Sequence, residues 1–156
     1  MATTMIGKHV NAPRPDVYRL LVNAEAVQTW QVPTGISSEV HEFDPREGGR
    51  FRITLTYDDP TGTGKTTAHS DTHHGRFVTL VPDEQVVQIV EFESDDPALS
   101  GEMIIAVTLT DAPDGGTDIT ALHENLPAGV DPEQNEIGWR LSLAKLAALA
   151  ETGRIP

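Results

Sequence analysis

Hydrophobic residues in this chain follow two periods, and the points where one gives way to the other mark out its elements. Residues 3–10 read as a short strand. In "APRPDVYRLL" the prolines suit a helix entry, and Val17, Leu20 and Leu21 fall on one helical face. A second short helix starts at Asn23 and ends near Trp30, ahead of the breakers Pro33 and Gly35. From Ile36 the period becomes two. In "FRITLTY", Phe51, Ile53, Leu55 and Tyr57 alternate with Arg52, Thr54 and Thr56, which predicts a strand with one buried face. Further strands are predicted over 36–43, 67–80, 85–93, 102–110 and 117–124, separated by turn-rich stretches such as "DPREGG", "DDPTGTG", "SDDPALSG" and "DAPDGG". Short connections between successive strands imply an antiparallel meander.

The period returns to that of a helix in the last segment. Asp131 suits its N-cap, Pro132 its first position, Gln134 the far side of a capping box, and Gly153 its stop. Trp139, Leu143, Leu146 and Ala150 form one face, flanked by Ala147 and Leu149, while Ile137 and Leu141 fall on the opposite side. That second apolar side is either covered within the chain or a contact patch for another copy in a homodimer. A meander has to bury its apolar face, and this helix is the one element of suitable size. The expected fold is therefore α+β: a curved antiparallel sheet of about seven strands wrapped on a long C-terminal helix, with two short helices between the first two strands. Residues 1–156 read as a single domain.

Charge narrows the range of partners. The 24 acidic residues against 11 basic ones leave −13, which disfavours nucleic acid and an anionic membrane surface. No apolar run approaches a membrane span, and "MATTMIGKHV" has no basic region followed by an apolar stretch, so a cytoplasmic location is expected. The absence of cysteine removes disulfides, thiolate metal sites and thiol nucleophiles.

The most suggestive chemistry is "AHSDTHHG", residues 68–75, which holds three of the six histidines beside Asp71. On a strand, His69, Asp71 and His73 share one face, and Ser70, Thr72 and His74 the other. Four residues of extended chain span about 13 Å, too far for His69 and His73 to reach one ion whose ligands lie about 2 Å away. No metal is expected there. His73 with Asp71, or His123, can instead supply a polar contact or an acid–base group. "GTGKTT" at 62–67 lacks the first glycine of a phosphate-binding loop, since Asp59 stands in its place, and sits between strands; it reads as a hairpin. No G-x-S-x-G elbow is present. Asp44, Arg46, Gly48 and Gly49 read as a turn device.

Several stretches, taken in order, resemble the START-like or helix-grip superfamily, which includes the pollen-allergen, polyketide cyclase and lipid-transfer families. They are "NAPRPDVYRLLVNAEAVQTWQVP", "FDPREGGRFR", "GRFVTLVPDEQVV", "GGTDITALHENLP" and "IGWRLSLAKLAALAE". Within it the chain is most similar to bacterial proteins related to the C-terminal domain of Aha-type activators of heat-shock-chaperone ATPase. Gln31 departs from the pattern, standing where many members carry a second aromatic after the residue matching Trp30. The resemblance implies a cavity between sheet and helix that holds a small apolar or amphipathic molecule, without a cofactor. Phe51, Ile53, Leu55, Trp139 and Leu143 are the expected apolar walls, with Trp30 near them and His73 and His123 as polar contacts. A cyclase- or aromatase-like enzyme using a cavity histidine, and a co-chaperone-like interaction module, are the alternatives. Only the one domain is expected, without the separate N-terminal domain of the full activators.

Overall fold

The structure, a computed structural model, describes residues 2–32, 36–57 and 70–153, with Tyr57 by its backbone alone. His69, the 62–67 stretch, Pro33, Gly35 and the first residues of the strand expected over 67–80 lie outside the described residues. Strand β1 (Ala2–Val10) leads into helices α1 (Arg14–Leu21) and α2 (Ala24–Trp30). Strands β2 (Ile36–Phe43), β3 (Arg50–Tyr57), β4 (Ser70–Val81), β5 (Gln85–Phe92), β6 (Met103–Asp111) and β7 (Thr117–Leu126) follow, and helix α3 (Pro132–Thr152) ends the chain. The seven strands form one antiparallel sheet in the order β1-β7-β6-β5-β4-β3-β2. The meander accounts for β2 to β7. The α1–α2 connection carries the chain from one sheet edge to the other, so β1 and β2 are sequence neighbours at opposite ends.

Local chemistry explains most boundaries. Pro13 and Pro15 open α1, and the Asn23 side chain caps α2 by accepting from the Ala26 N–H at 2.9 Å. Gly153, at φ +75°, stops α3, its N–H donating to Leu149 O at 2.8 Å. The expected N-cap forms, but its bond goes to the N–H one residue before the capping-box position. Asp131 Oδ1 accepts from the Glu133 N–H at 3.1 Å, while Gln134 is turned to the cavity described below. "SDDPALSG", expected to be a turn-rich connection, forms one 3₁₀ turn at Pro97–Leu99, with Asp96 capping it and Leu99 buried beneath it.

Register shifts at Val40/Glu42 in β2 and Phe77/Thr79 in β4 supply irregularities of the kind that bend and twist a sheet. The Asp44–Gly49 turn closes β2 onto β3 as expected: Arg46 Nε donates to Asp44 Oδ2 at 2.8 Å, and Gly48 sits at φ +85°. Gly75 has a different reason to be glycine. A Cβ there would lie 1.9 Å from Ile89 O and 2.8 Å from the Phe51 ring, so Phe51 covers bare β4 backbone. Val17, Trp30, Phe77, Ile119, Leu143 and Leu146 are among the residues that fill the core.

Candidate functional site

Helix α3 lies close to β1, α1 and α2. Toward the middle of the sheet it stands further off, and the gap is a cavity of about 440 Å³. Phe51 and Leu55 of β3, Asp71 and His73 of β4, and Val90 and Phe92 of β5 form one wall. Met103 and Ile105 continue it on β6. Opposite stands the first half of α3, with Asn135, Ile137, Trp139, Leu141 and Ser142. The alternation of β3 and β4 places these side chains: every second residue faces α3, so Phe51 and Leu55 enter together, as do Asp71 and His73. The His73 ring meets Phe51 edge-on, with centroids 6.2 Å apart.

Four of the eight residues expected at the site therefore line the cavity: Phe51, Leu55, His73 and Trp139. The other four lie outside its lining. Trp30 is a core pillar, 2% exposed, with its indole N–H donating to Leu20 O at 2.8 Å and its ring against Trp139 at 6.3 Å. Ile53 and Leu143 are wholly committed to the core. His123 is fully buried behind the wall, its ring 4.6 Å from that of Trp139.

His123 reaches the cavity wall through two lining residues, Trp139 and Asn135. Its Nδ1 lies 2.6 Å from Asn135 Nδ2, which also donates to Thr4 Oγ1 at 3.1 Å. Burial pushes the His123 pKa down to about 4, so the ring is neutral at pH 7, Nδ1 accepts, and Nε2 carries the proton. Nε2 is buried with no hydrogen-bond partner among the described residues. Such a ring is poorly suited to exchanging protons with a ligand. His123 therefore sits in the core behind Asn135, outside the lining of the cavity.

The histidine-rich stretch divides as strand geometry requires. Asp71 is 2% exposed at the cavity, and His73 lies on the same side. His74 points to the opposite face of the sheet, where its Nδ1 sits 3.1 Å from Glu93 and its Nε2 3.4 Å from Glu91. Arg52 holds Glu93 through two N–H···O bonds of 2.8 and 3.0 Å and keeps that carboxyl below its ordinary pKa. His41, on edge strand β2, contacts Thr54 Oγ1 at 2.8 Å. Among the described residues no group of three or more His, Asp or Glu is arranged to hold a metal. No helix among them is long and apolar enough to cross a membrane.

Sequence reasoning missed Asn135, Gln134 and Gln88, and set Ile137 and Leu141 on a side away from the site. These last two line the cavity at its α3 wall, 42% and 43% exposed. A signal was present: Asp131, Asn135, Gly138 and Ser142 form a helical stripe of polar and small residues, and all four border the cavity.

A curved antiparallel sheet gripping a long C-terminal helix, with a pocket between them, defines a START-like protein of the helix-grip class. The chain belongs to the family described as Activator of Hsp90 ATPase homolog 1-like protein, whose model matches residues 11–151. Solved structures agree. A Chromobacterium violaceum protein is 31% identical, with a TM-score of 0.84 over 96% of both chains. A Nitrosomonas europaea protein shares the fold at 22% identity and TM-score 0.74, over 97% of this chain and 96% of its own. A protein of the same family name from Silicibacter pomeroyi does so at 17% and 0.75, over 94% and 96%. No curated protein matches the chain.

Proposed function

We propose that the protein binds a small, mainly apolar or amphipathic molecule in the cavity between the sheet and α3. The observation that supports this is the cavity itself: about 440 Å³, within the range of small-molecule sites, with aromatic and aliphatic walls and a few polar groups. Apolar burial at about 25 cal/mol per Å² would drive binding, so covering ~300 Å² of ligand is worth roughly 7 kcal/mol before the cost of immobilising it. Asp71, His73 and Asn135 would orient the ligand. A thermal-shift screen of the purified chain against a broad panel of apolar small molecules tests the reading. A subset should raise the Tm; a panel that leaves it unmoved overturns the proposal.

The family's description supports a second reading, that of a chaperone-interaction module. A pull-down with the chaperone and an assay of its ATPase rate decide it, and an unchanged rate with no capture removes it. An acid–base enzyme would have to use His73, since His123 is held neutral and buried.

A further inference from the structure

We propose that the outer face of the sheet, the one turned away from α3, is an interface between two copies of this chain related by a twofold axis. The cavity lies on the other side of the sheet, so this inference is independent of the ligand-binding reading.

An antiparallel sheet packed on one side normally shows water a polar face on the other. Here an apolar row crosses that face. Met5, Leu122, Ala106 and Val87 are direct cross-strand partners in turn on β1, β7, β6 and β5. Alternation sends all four outward, because the adjoining Ile6, Ala121, Val107 and Val86 are buried in the core. Met5 is 63% exposed, and Val78, next to the Val87 partner Thr79 on β4, is 42% exposed. A continuous apolar strip of this kind marks an interaction surface.

The neighbouring row identifies the partner. It runs Glu124, Ile104, Ile89, Arg76, Arg50 through β7, β6, β5, β4 and β3, each residue the direct partner of the next. Its middle is apolar, one end is anionic and the other cationic. A twofold axis along the strands, between β5 and β6, lays a second copy face to face with the first. Ile104 of each copy then meets Ile89 of the other, and Glu124 meets Arg76, with Arg50 one strand further out. The same axis sets Ala106 against Val87, and Leu122 against Thr79 and Val78.

The remaining charges beside the row are largely answered within the chain. Glu93 is held by Arg52 and His74, Glu91 lies 3.4 Å from His74, and Glu42 stands opposite Arg52 on the edge strand. Glu102 reaches Arg76 only at 3.5 Å, and both side chains stay half exposed. Glu124 and Arg50 have no ion pair among the described residues. Arg76 and Arg50 are moreover like charges in direct opposition, an arrangement that costs stability and that a carboxylate from outside relieves. A partner of one charge sign would meet one end of the row with its own sign, whereas a second copy answers both ends.

Sedimentation equilibrium of the full chain tests this at about 0.15 M salt, where the repulsion between two chains of net charge −13 is screened beyond about 8 Å. At roughly 100 μM the mass should be twice that of the chain. Glu124→Arg and Arg76→Glu, both at exposed positions, should each weaken the dimer by about tenfold, and the two together should recover most of the loss. Ile89→Lys should leave a monomer at the same concentration. A wild-type chain that stays monomeric overturns the proposal. So does a dimer indifferent to Glu124→Arg and Ile89→Lys, including one that dissociates instead on Leu141→Lys and therefore uses the α3 side. A double variant no better than the singles overturns the twofold arrangement, since the two charges then do not meet.

Discussion

The two halves of α3 meet the same sheet in different ways. In the C-terminal half Leu143 and Leu146 are fully buried and Ala147 is 5% exposed, packed into the core beside β1 and α1. In the N-terminal half Ile137 and Leu141 remain 42% and 43% exposed, and the facing side chains of β3 to β5 enclose space instead of filling it. One helix thus serves as a core element along one stretch and as a cavity wall along the other. Stability should concentrate where no space is left, and binding where space remains.

The sharpest way to break this comparison is to truncate one leucine in each half. Leu143→Ala should lower unfolding free energy by about 2–5 kcal/mol, since it empties a fully buried site. Leu141→Ala should cost less than ~1 kcal/mol in stability and show its effect in ligand affinity. Urea denaturation of both variants measures this, and equal losses would mean that the N-terminal half is packed like the rest.

Next in size is a pH effect seated behind the cavity wall. The folded-state pKa of His123 is lowered to about 4, below the ordinary value of 6.5. The unfolded chain therefore takes up a proton through this window that the folded chain does not. The contribution is present above about pH 6.5 and is lost as pH falls toward about 4, roughly 3 kcal/mol in all. His123→Gln should flatten that part of the pH–stability profile, and an unchanged slope would show that His123 does not cause it.

Trp139→Ala should weaken any apolar ligand by about tenfold, a loss of about 1.4 kcal/mol that calorimetry reads directly, while the same change at the outward His74 should leave affinity untouched. The smallest expected effect is that of His74→Ala on stability. Its contacts with Glu91 and Glu93 are half exposed, so the change should stay below about 1 kcal/mol by denaturation.

How far the site was legible follows the same division. Alternation in "FRITLTY" and "AHSDTHHG" separates the two faces of β3 and β4, and the structure keeps those assignments: Phe51, Leu55, Asp71 and His73 toward α3, His74 away from it. Period alone does not tell a core residue from a cavity-lining one on the same face. Ile53 lies between Phe51 and Leu55 on the inner side of β3, yet it is buried in the core and outside the lining. His123 illustrates the limit best. Its strand position is plain from sequence, but its lost basicity comes from Trp139 and other groups brought together from distant parts of the chain.

The sequence by itself determined the order and type of the elements, the antiparallel meander, the start and stop of α3, and the face of each strand. These depend on period, caps and turn residues, which act between neighbours in the chain. Tertiary structure alone decided where α3 closes on the sheet and where it stands off. It thereby decided which inward-facing residues became core and which became wall, and it set Asn135 between His123 and the cavity. The physical reason is that the volume between two layers depends on the shapes of both at once, on sheet curvature and helix position, and no local pattern in the chain carries that sum.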